Sequence, residues 1–212
     1  MSLKSYYQNS RPELMPFLPQ EIKAVLEVGC GSGVFLSELK NKYPGVEVWG
    51  IEIESKAAAI AKKLGKILVG PAEKKLTQCP KKHFDLVVCN DVLEHMVDPY
   101  SFLNQLKPHF TKEGRILASI PNVRNFHNLK EVLLRKDWQY KDDGILDRTH
   151  LRFFTKKSMI AMFEEQGYEI EKIEGINHTG SRTFKLLNLL TLGSQRDMAF
   201  EQFAIVAKPV NA

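Results

Sequence analysis

Cysteine is scarce in this sequence: three occur among 212 residues, and no two of them form a Cys-x-x-Cys pair. This scarcity argues against a disulfide framework and against a structural zinc cluster, since both need several closely spaced cysteines. Long apolar runs are also missing, and no stretch reaches the ~18–20 apolar residues of a membrane span. The first residues lack the apolar core of a signal peptide. We therefore expect a cytoplasmic protein with no membrane span.

Internal repeats and low-complexity linkers are absent as well. With 212 residues and 43% hydrophobic content, the chain is long enough for one domain with a sizeable core, so we expect a single domain over residues 1–212. The excess of positive charge is only +5, and the lysines occur in local pairs. Such pairs are typical of solvated helix ends and turns. The charge therefore does not favour a nucleic-acid partner.

Short apolar runs alternate with helical patterns along most of the chain. This alternation is typical of an α/β fold, a mostly parallel sheet with helices on both faces. The predicted strands cover residues 24–28, 46–51, 66–69, 84–89, 115–120, 168–173 and 200–207, and the last two should form an antiparallel pair at one edge. The predicted helices cover residues 34–42, 55–64, 101–106, 128–134, 156–166 and 184–192.

Three segments depart from this alternation. A proline-broken lead-in occupies residues 1–20, and a polar insertion occupies residues 122–151, after the fifth strand. Because open α/β sheets bind ligands at the carboxyl ends of their strands, we expect this insertion on the substrate side. Residues 184–192 are apolar almost all round. We expect that helix to cover the site or to pack on a second subunit, as in a homodimer. Its only nearby cations, Arg182 and Lys185, make a membrane surface the less favoured alternative.

A glycine-rich loop follows the first strand. Gly29, Gly31 and Gly33 precede a helix, Glu27 stands just before them, and Glu52 ends the next apolar run. Glycines permit a close ligand approach, and the helix that they open points free N–H groups at the ligand. A carboxylate at the second strand end suits two ribose hydroxyls. The pattern predicts a nucleoside-bearing cofactor, and Glu27 favours one with an amino group over a pyrophosphate. The alternative for Glu52 is an acid at a helix N-terminus.

These motifs resemble those of the class I S-adenosylmethionine-dependent methyltransferases. Residues 84–95, FDLVVCNDVLEH, resemble the fourth-strand signature of ubiquinone-biosynthesis O-methyltransferases. Residues 146–154, LDRTHLRFF, resemble a stretch of bacterial methyltransferases associated with sugars and polysaccharides. The resemblance implies a Rossmann-like methyltransferase fold, with a mostly parallel seven-stranded sheet and an antiparallel edge strand. It also implies S-adenosyl-L-methionine as the cofactor.

The resemblance assigns roles to the loop residues. Gly29, Cys30, Gly31 and Gly33 would line the cofactor through their backbone. Glu27 would meet the methionine ammonium group.

Further cofactor contacts are expected from other strand ends. Asn90 would line the methionine end of the cofactor, and Arg11 would reach its carboxylate. Pro71 stands where the family carries an acid for the adenine amine, so we expect the backbone N–H of Ala72 to take over that contact. Tyr7 would line the acceptor pocket. The alternative for both Arg11 and Tyr7 is a position on a surface helix.

A potential metal site follows the fourth strand. If this segment is helical, Asp91, Glu94 and His95 share one face, and the ubiquinone-pathway relatives carry a similar trio implicated in metal binding. The alternative, which we favour, is no metal: Asp91 would cap a helix and His95 would be a hydrogen-bonded histidine at the pocket floor.

Asp147 and His150 are the predicted catalytic pair. Their spacing in a turn suits a general base, His150, oriented by Asp147, with the alternative that Asp147 only caps the turn while Arg148 and Arg152 fasten the insertion. The acceptor pocket would come from the insertion, Tyr7 and Phe154.

We expect methyl transfer to a small-molecule acceptor at a hydroxyl oxygen. The alternatives are an RNA methyltransferase and a non-catalytic partner subunit of the same fold; Val34 at the sixth position of the loop disfavours an NAD-dependent oxidoreductase.

Overall fold

Seven strands form one sheet in the computed structural model, which describes residues 10–210. Their order across the sheet is β3-β2-β1-β4-β5-β7-β6. The strands β1 to β5 pair in parallel, and β7 is antiparallel to both of its neighbours. The strands are β1 Ala24–Val28, β2 Glu47–Glu52, β3 Lys66–Val69, β4 Phe84–Asn90, β5 Phe110–Pro121, β6 Tyr168–His178 and β7 Phe200–Pro209.

Helices connect the strands and cover both faces of the sheet. The α-helices are α1 Val34–Lys42, α2 Ser55–Ala61, α3 Ala72–Lys75, α4 Pro99–Leu106, α5 Phe126–Arg135, α6 Lys156–Glu165 and α7 Arg182–Leu190. Short 3-10 helices cover Pro12–Phe17, Leu76–Gln78, Leu93–His95, Lys107–His109 and Arg196–Ala199. No helix in the described part of the chain is long and apolar enough to cross a membrane.

Two apolar cores lie on opposite faces of the sheet because neighbouring strand residues point to opposite sides. Leu26 and Val87 belong to the core that α4 and α6 complete, whereas Val25 and Leu86 belong to the one completed by α1, α2 and the Pro12–Phe17 helix. The central strands are therefore apolar on both faces, which is typical of a parallel sheet sandwiched between helix layers.

The predicted fold class is confirmed, and the differences lie at element ends and at the sheet edge. The reversed strand, β7, lies one place inside the edge, between β5 and β6. Strands β5 and β6 extend further than the apolar runs alone predicted. The second helix ends at Ala61, because residues 62–64 form a turn that leads to Gly65. The lead-in tyrosines Tyr6 and Tyr7 lie outside the described residues.

The insertion after β5 is fastened to the sheet at its first residue. The Nδ2 atom of the buried Asn122 donates to the carbonyls of Asp197 at 2.9 Å and Phe200 at 3.0 Å. The N–H of Val123 donates to the carbonyl of Phe154 at 2.8 Å. The beginning of the insertion and the chain that follows it therefore lie together beside the carboxyl end of β5.

Candidate active site

The glycine-rich loop is a tight turn between β1 and α1. Gly29, Gly31 and Gly33 all have positive φ angles of 70°, 54° and 84°, a region that L-residues with a Cβ rarely occupy. A Cβ at Gly29 would stand 2.6 Å from Cγ2 of Val92, so this position also lacks room for one. The carbonyl of Ile51 accepts the N–H of Gly29 at 2.8 Å. The loop is thus held against the end of β2.

Glu52 is a buried carboxylate that faces this loop. Its Oε2 accepts the N–H of Gly31 at 2.7 Å, and its Oε1 accepts the N–H of Glu54 at 2.8 Å. Glu54 caps α2 by accepting the N–H of Ala57 at 2.7 Å, so the alternative role of Glu52 as the acid at that helix terminus is not what the structure shows. A carboxylate offers about four lone-pair sites. Two therefore remain for the ribose hydroxyls.

Glu27 and Asn90 bring unsatisfied polar groups to the ends of β1 and β4. The two strands are neighbours, and Val28 is in register with Cys89. The Oε2 atom of Glu27 is buried without a hydrogen-bond partner among the described residues. The buried Asn90 amide makes no hydrogen bond of full geometry there, although it lies close enough to Glu27 to oppose the rise of the pKa of Glu27. Burial raises the pKa of Glu27 well above its usual value, and the neighbouring Glu52 raises it further. Orphaned buried groups of this kind fit a ligand that carries an amino group.

Cys30 and Ala72 occupy different settings. The side chain of Cys30 is buried in the core against Gly50, and its N–H donates to the carbonyl of Ile51 at 3.2 Å. Its predicted backbone contact with the cofactor therefore cannot use that N–H, which already has an acceptor. Ala72 begins α3 directly after Pro71. The first N–H groups of a helix have no acceptor within it, so that of Ala72 suits the adenine contact that the missing acid would make.

Arg11 belongs to a network at the sheet edge. Its guanidinium pairs with Asp91 and with Glu13, and its Nη2 donates at 3.0 Å to both the Ser119 hydroxyl and the Oε1 of Gln202. These contacts join the lead-in to β4, β5 and β7. The contact of Arg11 with the cofactor carboxylate stays a prediction, since its described partners are these protein groups.

His150 lies buried in the turn that ends the insertion. Its Nδ1 is 3.0 Å from the carbonyl of Ile145. A carbonyl can only accept, so this contact assigns the proton of a neutral ring to Nδ1 and leaves Nε2 as the basic nitrogen. The Nε2 atom is 4.0 Å from Oε1 of Glu94. The ring of His95 packs edge-on against that of His150, with centroids 4.6 Å apart.

Asp147 does not orient the His150 ring as predicted. The Oδ1 atom of Asp147 accepts hydrogen bonds from the N–H of Thr149 at 2.7 Å and from the Thr149 hydroxyl at 2.6 Å. The contact with His150 Nδ1 that was expected of Asp147 is made by the carbonyl of Ile145. Although burial opposes it, these bonds from Thr149 hold the pKa of Asp147 below its usual value. Asp147 thus caps the turn, which was the alternative role, and Arg152 fastens the same segment to the carbonyl of Val97.

The segment after β4 does not form the helical face considered for a metal. Residues 93–95 make a 3-10 turn, and Asp91 has a φ of 52° and points into the Arg11 network, so it caps no helix. His95 is hydrogen-bonded as expected, with Nδ1 3.2 Å from the carbonyl of Thr149. Donor atoms of Glu94, His95 and His150 lie within 4.8 Å of one another, close enough for one divalent cation to reach all three.

Glu94 is the buried acid of this cluster. Both of its carboxylate oxygens lack a hydrogen-bond partner among the described residues. Burial raises the pKa of Glu94 well above its usual value, with a further contribution from Asp91. Its backbone carbonyl accepts the N–H groups of Leu151 at 2.8 Å and Arg152 at 3.0 Å, which fixes the segment carrying His150.

A cavity of about 210 Å³ brings these groups together. Its lining includes Arg11, Asp91, Glu94, His95, Asp147 and His150. Sequence reasoning missed a further set that comes from the lead-in and the sheet edge: Glu13, Pro121, Asn177, Glu201 and Gln202. No local motif marks these residues, because distant segments supply them. The pairing of β7 with β5 and β6 brings Pro121, Gln202 and Asn177 together, and Arg11 ties Glu13 to Gln202. Phe154, expected in the acceptor pocket, instead packs in the core.

The sheet order, the glycine loop bound to Glu52, and the orphaned groups at Glu27 and Asn90 define a Rossmann-like enzyme that binds S-adenosylmethionine. A family model described as "Methyltransferase domain" matches residues 3–173. The chain belongs to this methyltransferase family, and S-adenosylmethionine is its cofactor.

Curated relatives are similar over most of the chain at low identity. The ubiquinone biosynthesis O-methyltransferase of Aeromonas salmonicida is 26% identical over 173 residues, which cover 77% of this chain and 71% of the relative. Malonyl-[acyl-carrier protein] O-methyltransferase 1 of Ilyobacter polytropus is 24% identical and aligns over 72% of this chain and 58% of the relative. Among solved structures, a SAM-dependent methyltransferase from Archaeoglobus fulgidus superposes with a TM-score of 0.68 at 19% identity, covering 98% of this chain and 94% of its own. That structural likeness supports the fold.

Proposed function

We propose that this methyltransferase acts on a hydroxyl oxygen of a small polar acceptor, with His150 as the general base. The observation that carries the proposal is the environment of His150. Its Nδ1 is held by the Ile145 carbonyl, so Nε2 is the nitrogen free to take a proton. The residue lines the cavity of about 210 Å³. Asp91, which directly follows β4, the strand next to β1, lines the same cavity.

The chain's own groups have two tasks in this proposal. S-adenosylmethionine supplies an already activated methyl group, so the protein must chiefly align the acceptor. Gly31, Glu52 and Glu27 hold the cofactor at the ends of β1 and β2. His150 would accept the hydroxyl proton at Nε2 as the acceptor oxygen bonds to the methyl carbon, while the carbon–sulfur bond breaks and S-adenosylhomocysteine leaves. A general base in such a step typically contributes ~10²–10⁴-fold to the rate.

The charge of the cavity favours a neutral or amino-bearing acceptor. Five carboxyl groups line it, those of Glu13, Asp91, Glu94, Asp147 and Glu201. The guanidinium of Arg11 is the positive group that faces these carboxyl groups in the lining, and it already forms ion pairs with Glu13 and Asp91. Such a lining repels phosphate, which weighs against RNA as the acceptor. The names of both curated relatives describe O-methyltransferases, which supports oxygen over nitrogen.

The test is product analysis with isotope-labelled cofactor. The purified protein is incubated with S-adenosylmethionine carrying a labelled methyl group and either a panel of polyols, phenols and amino alcohols or total RNA. Carbon NMR of the products distinguishes an O-methyl from an N-methyl group. We expect an O-methyl product, and His150→Asn should lower its rate of formation by ~10²–10⁴-fold while leaving S-adenosylhomocysteine binding unchanged.

His178→Asn is the matched control, because His178 is an exposed histidine that stacks on Phe200 and does not line the cavity. It should retain the full rate. Label found on nitrogen or on RNA would contradict the proposed acceptor class. A His150→Asn rate within about threefold of the wild type would contradict the role of His150 as base.

A further inference from the structure

The helix α7 has two apolar faces, and only one of them is covered. Phe184 is buried, and its ring packs against that of Phe126 on α5 with centroids 5.6 Å apart. Leu187, one turn further along, joins the same small cluster. Contacts with α5 and with the Arg196–Ala199 helix therefore account for the inner face of α7.

Leucines line the opposite face of α7 and the turn after it. Leu186 is 58% exposed, Leu189 72%, Leu190 73% and Leu192 95%. The first three are spaced i, i+3 and i+4, so they form one stripe along the helix. Single exposed apolar residues are ordinary, but a contiguous stripe of leucines points to a surface that covers it.

The charges around this stripe indicate what covers it. Residues 179–196 contain no aspartate or glutamate, and Asp197, which follows them, is paired with Arg124. Arg182, Lys185 and Arg196 are exposed at the borders of the leucine stripe. A second copy of the same face would bring like charges together, whereas an anionic lipid surface would attract them.

From the sequence, Arg182 and Lys185 were the only cations expected near this helix, which made a membrane surface the less favoured alternative. The structure adds Arg196, whose side chain lies beside the turn at Gly193. An apolar face bordered by Lys and Arg is typical of helices that lie in the membrane interface.

We propose that α7 and the turn after it bind an anionic lipid bilayer. The contact is made by the α7 surface, which consists of Leu186, Leu189, Leu190 and Leu192. The leucines enter the boundary between head groups and acyl chains, and the cations contact the lipid phosphates. This inference does not depend on the methyl-transfer chemistry, because none of these residues lines the acceptor cavity.

Helix α7 is connected to the site through α5. Helix α5, on which α7 packs, borders a second cavity of about 310 Å³. That cavity shares Gly144, Ile145 and Glu201 with the acceptor cavity.

Vesicle flotation tests the proposal with the full chain. One set of vesicles contains phosphatidylglycerol and phosphatidylcholine in equal amounts, and the other contains phosphatidylcholine alone. The wild type should float with the anionic vesicles, and added salt should release it. Leu189→Ser combined with Leu190→Ser should weaken binding at least about tenfold, as should Arg182→Glu combined with Lys185→Glu.

A matched control removes exposed apolar side chains elsewhere. Ile60→Ser combined with Val97→Ser alters residues that are 57% and 69% exposed, away from α7, and should bind vesicles like the wild type. Unchanged thermal unfolding and S-adenosylhomocysteine binding establish that each variant is folded. Absence of wild-type flotation with anionic vesicles overturns the proposal. So does a homodimer, seen by sedimentation equilibrium, that the leucine substitutions dissociate.

Discussion

Glu27 is the residue whose protonation should respond most directly to the cofactor. It is fully enclosed, its Oε2 has no partner in the described chain, and burial together with Glu52 raises its pKa. A bound amino group would favour the carboxylate form and lower that pKa again. Cofactor binding and proton release are therefore linked at this side chain.

We predict that S-adenosylhomocysteine binding releases a proton from Glu27. At pH values between the usual pKa of a glutamate and the raised pKa of Glu27, the Glu27 carboxyl group is protonated in the free protein and ionised in the complex. Affinity should rise with pH across this interval and level off above the raised pKa. Calorimetry in buffers of different ionisation enthalpy measures the number of protons released.

The raised pKa of Glu27 affects the stability of the free protein in the opposite direction: as pH rises, cofactor affinity increases but stability decreases. Because the pKa of Glu27 is higher in the folded state, the unfolded chain loses its proton first, and the free energy of unfolding falls as pH rises through the interval. Glu27→Gln should remove the contribution of Glu27 to proton release, and it should weaken binding. Equal proton release by the wild type and Glu27→Gln would assign the proton to another group.

At the scale of elements, Asn122 joins the end of β5 to the chain that enters β7. Its Nδ2 donates to two partly buried backbone carbonyls, and its Oδ1 accepts the N–H of Arg124 at 3.1 Å. We predict that Asn122→Ala lowers the free energy of unfolding by about 2 kcal/mol or more, because an unsatisfied buried polar group costs ~1–3 kcal/mol. Urea denaturation measures the change.

Asn104→Ala provides the comparison for this prediction, since Asn104 is exposed on α4. Its effect on unfolding should stay within ~0.5 kcal/mol, as for most surface substitutions. Equal denaturation midpoints for Asn122→Ala and the wild type would show that Asn122 does not fasten the insertion.

The elements differ in how well sequence pattern predicts them. The strands β1 and β3 and the helix α1 have the predicted bounds, because their apolar runs end at glycine, proline or polar residues. The position of β7 inside the edge could not be read from pattern, since strand order depends on pairing between distant segments. The turn at residues 93–95 was ambiguous because the left-handed conformation of Asp91 is set by tertiary contacts with Arg11 and Ser119.

At the scale of the whole molecule, the two halves of the site were not equally predictable. The cofactor side could be predicted, since the glycines, Glu27 and Glu52 lie in short segments whose spacing indicates cofactor binding. The acceptor side combines the lead-in, the end of β4, the insertion and β6–β7. Only tertiary folding assembles these segments, so Gln202 and Glu201 carried no local signal, and the orienting role expected of Asp147 falls to the Ile145 carbonyl.

The central claim is that the loop and Glu52 form the S-adenosylmethionine site, and calorimetric titration with S-adenosylhomocysteine tests it most directly. The wild type should bind, with no heat from NADH, and Glu52→Ala should weaken binding at least about tenfold through lost charge-assisted hydrogen bonds. Glu54→Ala is the control, because Glu54 caps α2 and does not face the loop. Its affinity should match the wild type. Wild-type protein that does not bind, or equal affinities for Glu52→Ala and Glu54→Ala, would contradict the account.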